Sequence, residues 1–431
     1  MKAADSASKS SEAAKKSPND VAERNESQLG GSKEAERTTS SSKARRIEDL
    51  LTQISMQDPA RDATGKMRKK DMSSYKFWQT QPVSRFDESV TEEGPIEPNQ
   101  SIEAVPTHPL PLLKEFEWVV MDVNDRQQLE EIRVLLSENF VEDGDHSFRL
   151  NYSASFLQWA LKPPHWRKEW HVGVRVVASH KLVAFISGIP VNLRVRATTV
   201  ACSEINFLCV HKKLRSKRLT PLLIKEVTRQ CHLQGVWQAI YTAGVLLPKP
   251  ITTARYFHRC LDWPKLNEVG FSGMPPNSSK KRQVEKYRLP AEPSISGLRE
   301  MNQQDVEGVE VLLQKYLSRF DLAQQLSEEE VSHWFVNQSE ENDKVIWTFV
   351  VEDHITQKVT DFVSFYSLPS TIIGSAKHKE LNVAYLYYYA SEVALQEGVD
   401  KQVWKGRLTN LVNDALILAK NVSNLRSLCS F

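Results

Sequence analysis

The chain has 431 residues with 56 Lys and Arg against 54 Asp and Glu; a net charge of +2 is too small to make nucleic acid a bulk partner, so any basic site is local. No apolar run reaches membrane-spanning length and the first residues hold no signal region, which predicts a soluble, cytoplasmic protein with no DNA partner and no transmembrane segment. Five cysteines, Cys202, Cys209, Cys231, Cys260 and Cys429, stand singly without Cys-x-x-Cys pairs, so buried reduced thiols are expected and no metal is implied.

Residues 1–72 contain no aromatic side chain and are dominated by Ser, Glu, Lys, Asn and Gly, a composition that cannot offset chain ordering; a disordered arm is expected. Within it Ile47, Leu50, Leu51 and Ile54 fall at helical spacing, and Lys43, Arg45 and Arg46 with Lys66, Arg68, Lys69 and Lys70 form basic clusters that read as solvated linker charge. The stretch Tyr75 to Val83 is too apolar for a linker, so Phe77 and Trp78 are expected to anchor it on the folded body. A proline-rich segment from Gly94 to Pro111 then leads into the core.

The core repeats itself. Ile132-Arg-Val-Leu-Leu136 matches Val309-Glu-Val-Leu-Leu313, and Lys181-Leu-Val-Ala-Phe-Ile-Ser187 matches Lys358-Val-Thr-Asp-Phe-Val-Ser364, both at an offset of 177 residues. Leu129, Ile132, Leu135 and Leu136 thus correspond to Val306, Val309, Leu312 and Leu313, one amphipathic helix written twice. Each copy reads as a helix, a β-rich pair (His171 to Pro190; Val345 to Leu368), a central strand and a second helix. The expected fold class is α/β with mixed sheets, built as two tandem acetyltransferase-like acyl-CoA units related by internal duplication.

In the first unit the strand Ile205 to Val210 runs into a basic loop, Arg215-Ser-Lys-Arg-Leu-Thr-Pro221, and Thr220 and Pro221 are expected to cap and open a helix carrying Leu222, Leu223, Val227 and Cys231 on one face. Helix-end N–H groups plus Arg215, Lys217 and Arg218 suit a phosphate-bearing ligand; a solvated basic turn is the alternative reading. The same offset lands on Leu381 to Tyr389, a strand that no basic loop follows, so one phosphate site is expected, on the first unit.

The run Glu204 to Pro221 resembles the signature of the glycylpeptide N-tetradecanoyltransferases (N-myristoyltransferases), and the likeness continues through Tyr75 to Val83, Tyr241-Thr-Ala-Gly244, Arg255-Tyr-Phe-His258 and Asp361 to Tyr366. The resemblance implies transfer of myristoyl from myristoyl-CoA to the N-terminal glycine of nascent or processed proteins, by a monomer whose arm contacts the ribosome. It implies acyl-CoA contacts from Tyr75, Lys76, Phe77 and Trp78 and from Phe207, Leu208, Cys209, Val210, Arg215, Ser216, Lys217, Arg218, Leu219, Thr220 and Pro221. The backbone N–H groups of Phe207 and Leu208 would hold the oxyanion, Asn206 would help position the reacting groups, and groups near Thr242 would aid loss of the amine proton. Cys209 is core filler, since the family transfers its acyl group without a covalent enzyme intermediate. Glu142, Asp143 and Asp145 would draw a basic residue of the peptide or stand as a solvated loop, and Phe148, Tyr152, Tyr256, His258 and Ser364 match groove positions. Gly144, Leu150 and Asn151 depart from the family's usual Asp, Phe and Asp.

After Lys420 the family pattern runs on through a Gly-rich signature to a catalytic C-terminal carboxylate, whereas this sequence reads Asn421 to Phe431. The expected layout is an arm at 1–72, an acyl-CoA half at 73–290, an incomplete peptide half at 291–420 and a divergent tail at 421–431. An alternative to the enzyme follows: a silent isoform, or an incomplete gene model, that binds acyl-CoA without transferring it.

Overall fold

Amphipathic spacing becomes helix where it was expected. Arg126–Asn139 buries Leu129, Ile132, Leu135 and Leu136 on one face, and the Asp125 carboxylate accepts the Gln127 N–H at 2.8 Å and the Gln128 N–H at 3.2 Å, capping its start. Its copy, Val306–Leu317, buries Val306, Val309, Leu312 and Leu313. This computed structural model describes residues 72–422 except 76, 82, 87, 90–92, 141–146, 245–246, 248 and 338–342, together with 428–430.

The chain divides into a unit Met1–Lys76 and a unit Phe77–Phe431. In the first, the described part is the turn Met72–Ser74, whose Met72 carbonyl accepts the Tyr75 N–H at 2.8 Å. The expected disordered arm, its helix and its basic clusters lie outside the described residues. Everything below concerns the second unit.

Two sheets follow one another with the same internal order. In the first, Phe116–Val120, His171–Val176, Leu182–Val195 and Thr198–Val210 pair antiparallel in succession; the chain crosses over through the helix Leu219–His232, and Gln238–Tyr241 adds in parallel. In the second, Leu298–Glu300, Ile346–Glu352, Val359–Ser367 and Val383–Ser391 repeat the antiparallel run, Lys401–Asn421 is the crossover helix, and Leu428–Ser430 adds in parallel. Residues 428–430 belong to the stretch read from the sequence as a divergent tail, in which no strand was expected. They hold the position that Gln238–Tyr241 holds in the first sheet, and three residues are too few for periodicity to announce a strand. The second sheet continues through antiparallel pairing of Leu428–Ser430 with His258–Cys260.

Alternation along the central strands fixes which helix covers which face. Phe185 and Cys209 point into the cluster under Arg126–Asn139, with Ile132, Leu135 and Leu136. Ala184, Ile186 and Val210 point the other way, onto Leu219, Leu223, Val227 and Cys231 of Leu219–His232. Leu223 has no exposed surface, so cutting it to Ala costs about 2–5 kcal/mol. A small third sheet sets Ser370–Ile372 between Phe148–Leu150 and Glu380–Leu381, tying the stretch after the first helix to the second repeat.

Candidate active site

The ladder breaks at one point of the first sheet. Phe185 pairs with Cys209 and Ser187 with Asn206, so the single residue Ile186 stands opposite both Phe207 and Leu208. Phe207 has φ 54°, a left-handed value that a bulky L-residue adopts only when its surroundings impose it. Its ring is clamped between Tyr152 at 5.4 Å and Phe140 at 6.3 Å. The parallel neighbour reaches only from Cys202 to Ile205, so neither Phe207 nor Leu208 has a register partner on either side. A bulge of this kind turns backbone N–H groups out of the ladder, as an oxyanion site requires.

Groups around the bulge are tied down. Ser187 Oγ donates to the Asn206 carbonyl at 3.0 Å, and Asn206 Nδ2 donates to Glu204 Oε1 at 2.9 Å. Tyr241 pairs with Ile205, so the exposed Thr242 leaves the neighbouring strand beside Asn206. Trp78 stacks on Tyr241 at 5.9 Å with its plane 4° off parallel, and Phe77 meets Trp78 edge-on at 5.0 Å. The aromatic segment thus anchors where expected, next to the strand that delivers Thr242; Lys76 lies outside the described residues. Cys209 is buried against the Leu135 carbonyl, and burial pushes its thiol up to about 12, which keeps it protonated and inert.

The basic loop is built differently from the expectation. Lys212–Lys217 forms a 3-10 turn, Arg218 takes φ 58°, and the helix starts at Leu219, so Thr220 and Pro221 fall inside its first turn and no Thr220 cap exists. Proline is tolerated there because first-turn N–H groups lack helical partners anyway. Arg215 is exposed and donates to the Asn139 carbonyl at the end of Arg126–Asn139, where the helix dipole favours a cation. Asn139 Oδ1 accepts the Lys212 N–H at 3.0 Å and its Nδ2 donates to the Leu135 carbonyl at 3.0 Å. This buried asparagine pins the loop and was missed; a lone Asn at a helix end carries no spacing signal. Lys217 and Arg218 are exposed, Ser216 lies in the turn, and Leu219 is buried beneath them.

On the peptide side, Glu142, Asp143 and Asp145 lie outside the described residues. Tyr152 is buried among Phe140, Phe156 and Phe207, and burial raises its hydroxyl pKa. Phe148 and His258 converge on Phe271, each edge-on at 5.6 Å, while Tyr256 is exposed. Ser364, expected on the groove, is fully buried: its Oγ donates to the Tyr388 carbonyl at 2.9 Å and accepts the Tyr388 N–H at 3.0 Å. It sits opposite a second break, where Val363 pairs with Tyr389 and Phe365 with Leu386, leaving Tyr387 and Tyr388 to bulge.

A groove of about 500 Å³ lined by Glu131, Arg175, His180 and His211 opens beside Arg126–Asn139, but neither bulge residue nor Thr242 lines it. Among the described residues no group of His, Cys, Asp and Glu is arranged to hold a metal ion, and no helix is long and apolar enough to cross a membrane.

Residues 95–254 match the family Myristoyl-CoA:protein N-myristoyltransferase, N-terminal domain, and residues 268–424 match its C-terminal domain. The chain is 51% identical over 383 residues to the glycylpeptide N-tetradecanoyltransferase of Candida glabrata, covering 87% of this chain and 84% of that protein. Against the same enzyme of Schizosaccharomyces pombe it is 50% identical over 378 residues, covering 87% and 81%. The crystal structure of Saccharomyces cerevisiae N-myristoyltransferase with bound myristoyl-CoA superposes with a TM-score of 0.80 at 48% identity, covering 84% of this chain and 86% of that one.

Proposed function

The chain belongs to the myristoyl-CoA:protein N-myristoyltransferase family, and from that membership we infer that it transfers myristoyl from myristoyl-CoA to the N-terminal glycine of proteins. It is an acyltransferase and takes myristoyl-CoA as co-substrate. The observation that carries this reading is the bulge at Phe207 and Leu208, placed between a strand-end basic loop and the exposed Thr242.

In this reading each part of the site has one task. Lys217, Arg218 and the first N–H groups of Leu219–His232 take the diphosphate of CoA. The N–H groups of Phe207 and Leu208 take the thioester oxygen as it gains charge, an interaction worth several kcal/mol only when the donors are already in place. Asn206 and Thr242 orient the glycine amine, which attacks as the free base; the C–N bond forms as the C–S bond breaks, and the proton shed by the new amide nitrogen is taken up by the departing sulfur, so that CoA leaves as its thiol. Apolar burial supports the choice of a long chain, at about 0.8 kcal/mol per CH₂. Phe77 and Trp78 border the acyl-CoA, and Phe148, Tyr152, Tyr256 and His258 the peptide, while the charges of Glu142, Asp143 and Asp145 favour a peptide with a basic residue further along.

We assign the acyl-CoA half to 73–290 and the peptide half to 291–420, and place the reaction in the cytoplasm on nascent chains, with a monomeric enzyme whose arm, residues 1–72, contacts the ribosome. Labelled myristoyl-CoA and an N-terminal Gly peptide test the activity with the purified chain. Label on the peptide is the expected result. Binding of myristoyl-CoA without transfer would overturn it in favour of a silent acyl-CoA binder.

A further inference from the structure

Asn206 is held by Glu204, the first residue of the signature run, to which no role has been given above. Glu204 and Asn206 are two apart on one strand, so their side chains share a face. The strand is interior to its sheet, with Glu204 beside Ile189 on one neighbour and Ile240 on the other. Glu204 Oε1 accepts from Asn206 Nδ2 at 2.9 Å, while the Asn206 backbone carbonyl accepts from Ser187 Oγ at 3.0 Å. An amide has one donor end and one acceptor end. With Nδ2 committed to the carboxylate, Oδ1 is the end left to face the bulge and Thr242.

Glu204 is itself confined. Tyr387 and Tyr388, the bulged pair of the second sheet, stand close enough for its charge to add to the burial that raises their hydroxyl pKa values. Tyr388 also reaches across to Gln324. The bulge of the second sheet therefore backs the strand that carries the bulge of the first.

We propose that Glu204 is a positioning residue for acyl transfer: its carboxylate fixes the amide of Asn206 so that Oδ1 accepts from the attacking amine. The inference rests on the amine-side role of Asn206. Glu204 need not touch either substrate; it acts through the asparagine. A misplacement of about 1 Å in such a group costs on the order of 100-fold in turnover.

Charge and reach are separable here. Glu204→Asp keeps the charge and withdraws the carboxylate by one methylene; Glu204→Gln loses the charge and keeps an oxygen at the original reach. Steady-state transfer should rank wild type, then Glu204→Gln, then Glu204→Asp, with Glu204→Asp about tenfold or more down in kcat. The dissociation constant for myristoyl-CoA and the melting temperature should be close to wild type in both variants, which a purely structural role would not produce. Combining Glu204→Asp with Asn206→Ala should be no slower than Asn206→Ala alone, because the two act as one unit. The reverse ranking, with Asp faster than Gln, overturns the proposal in favour of a charge effect, and multiplicative losses in the double variant overturn it as well. Wild-type turnover in Asn206→Ala would overturn the amine-side reading itself, and absence of transfer by the wild type would overturn the function; each failure is read on a different sample.

Discussion

Ser187 and Ser364 stand 177 residues apart in the duplicated sequence and beside corresponding breaks in their sheets, yet only Ser364 closes its bulge. Its hydroxyl donates to the carbonyl of Tyr388 and accepts the N–H of the same residue, while Ser187 donates back to Asn206 and leaves Phe207 and Leu208 alone. The two halves share a backbone device, sealed in one and open in the other.

The serines should therefore respond differently to truncation. Ser364→Ala strands a buried N–H and should cost about 1–3 kcal/mol of stability, with turnover per folded molecule nearly unchanged. Ser187→Ala should lower turnover more than it lowers the melting temperature. Paired melting curves and rates on the two variants check this.

Phe207 tests whether the backbone shape or the ring matters. A β-branched residue fits φ 54° badly, whereas Gly adopts it freely but loses the contacts with Tyr152 and Phe140. Phe207→Gly should lose stability yet keep part of its transfer rate. Phe207→Val should lose stability and transfer together, as single-turnover assays on folded samples would show.

The loop cations divide into two kinds. Lys217 is exposed, and Lys217→Glu should weaken myristoyl-CoA binding about tenfold or more at low ionic strength and by less at high salt, where charge is screened. Arg215 is bound to Asn139, so Arg215→Ala and Asn139→Ala should weaken binding to a similar extent as each other and with little salt dependence. Titration calorimetry at two salt concentrations separates them.

His171 supplies an acid limb to stability. It is fully buried, and burial lowers its pKa to about 4, with the Asp122 charge and a backbone hydrogen bond to Leu161 opposing in part. Below about pH 6.5 the unfolded chain takes up a proton that the folded chain refuses, so stability falls as pH drops from about 6.5 to about 4, by roughly 3 kcal/mol for this one group. Below that range the contribution is lost in full. His171→Leu should flatten the curve, and denaturant midpoints between pH 4.5 and 7 measure the difference.

Much of this was legible in the residues. The helix faces of Arg126–Asn139 and Val306–Leu317, the duplicated order of strands and the anchoring of Phe77 and Trp78 follow from apolar spacing, which depends on local geometry alone. The bulge did not show, because nothing in Asn-Phe-Leu-Cys marks a left-handed φ: the residue that adopts it is phenylalanine, held by neighbours 55 and 67 positions earlier, Tyr152 and Phe140. The helix start was misjudged for a related reason, since Thr220-Pro221 has the composition of a cap while Arg218 makes the turn. Ser364 was matched by position in a pattern, and pattern does not say which way a side chain on an interior strand faces.

The strand Leu428–Ser430 has a consequence for the order in which the protein takes shape during synthesis. Five of the six strands of the first sheet lie between Phe116 and Tyr241 and can pair as soon as that stretch emerges, while the sixth, Leu322–Gln324, adds to Leu182–Val195 later. His258–Cys260 must wait for a partner about 170 residues further on, because its only sheet neighbour among the described residues is Leu428–Ser430. The open bulge is thus formed on the half that is born early, whereas the edge carrying His258 is fastened only once Leu428–Ser430 has been made.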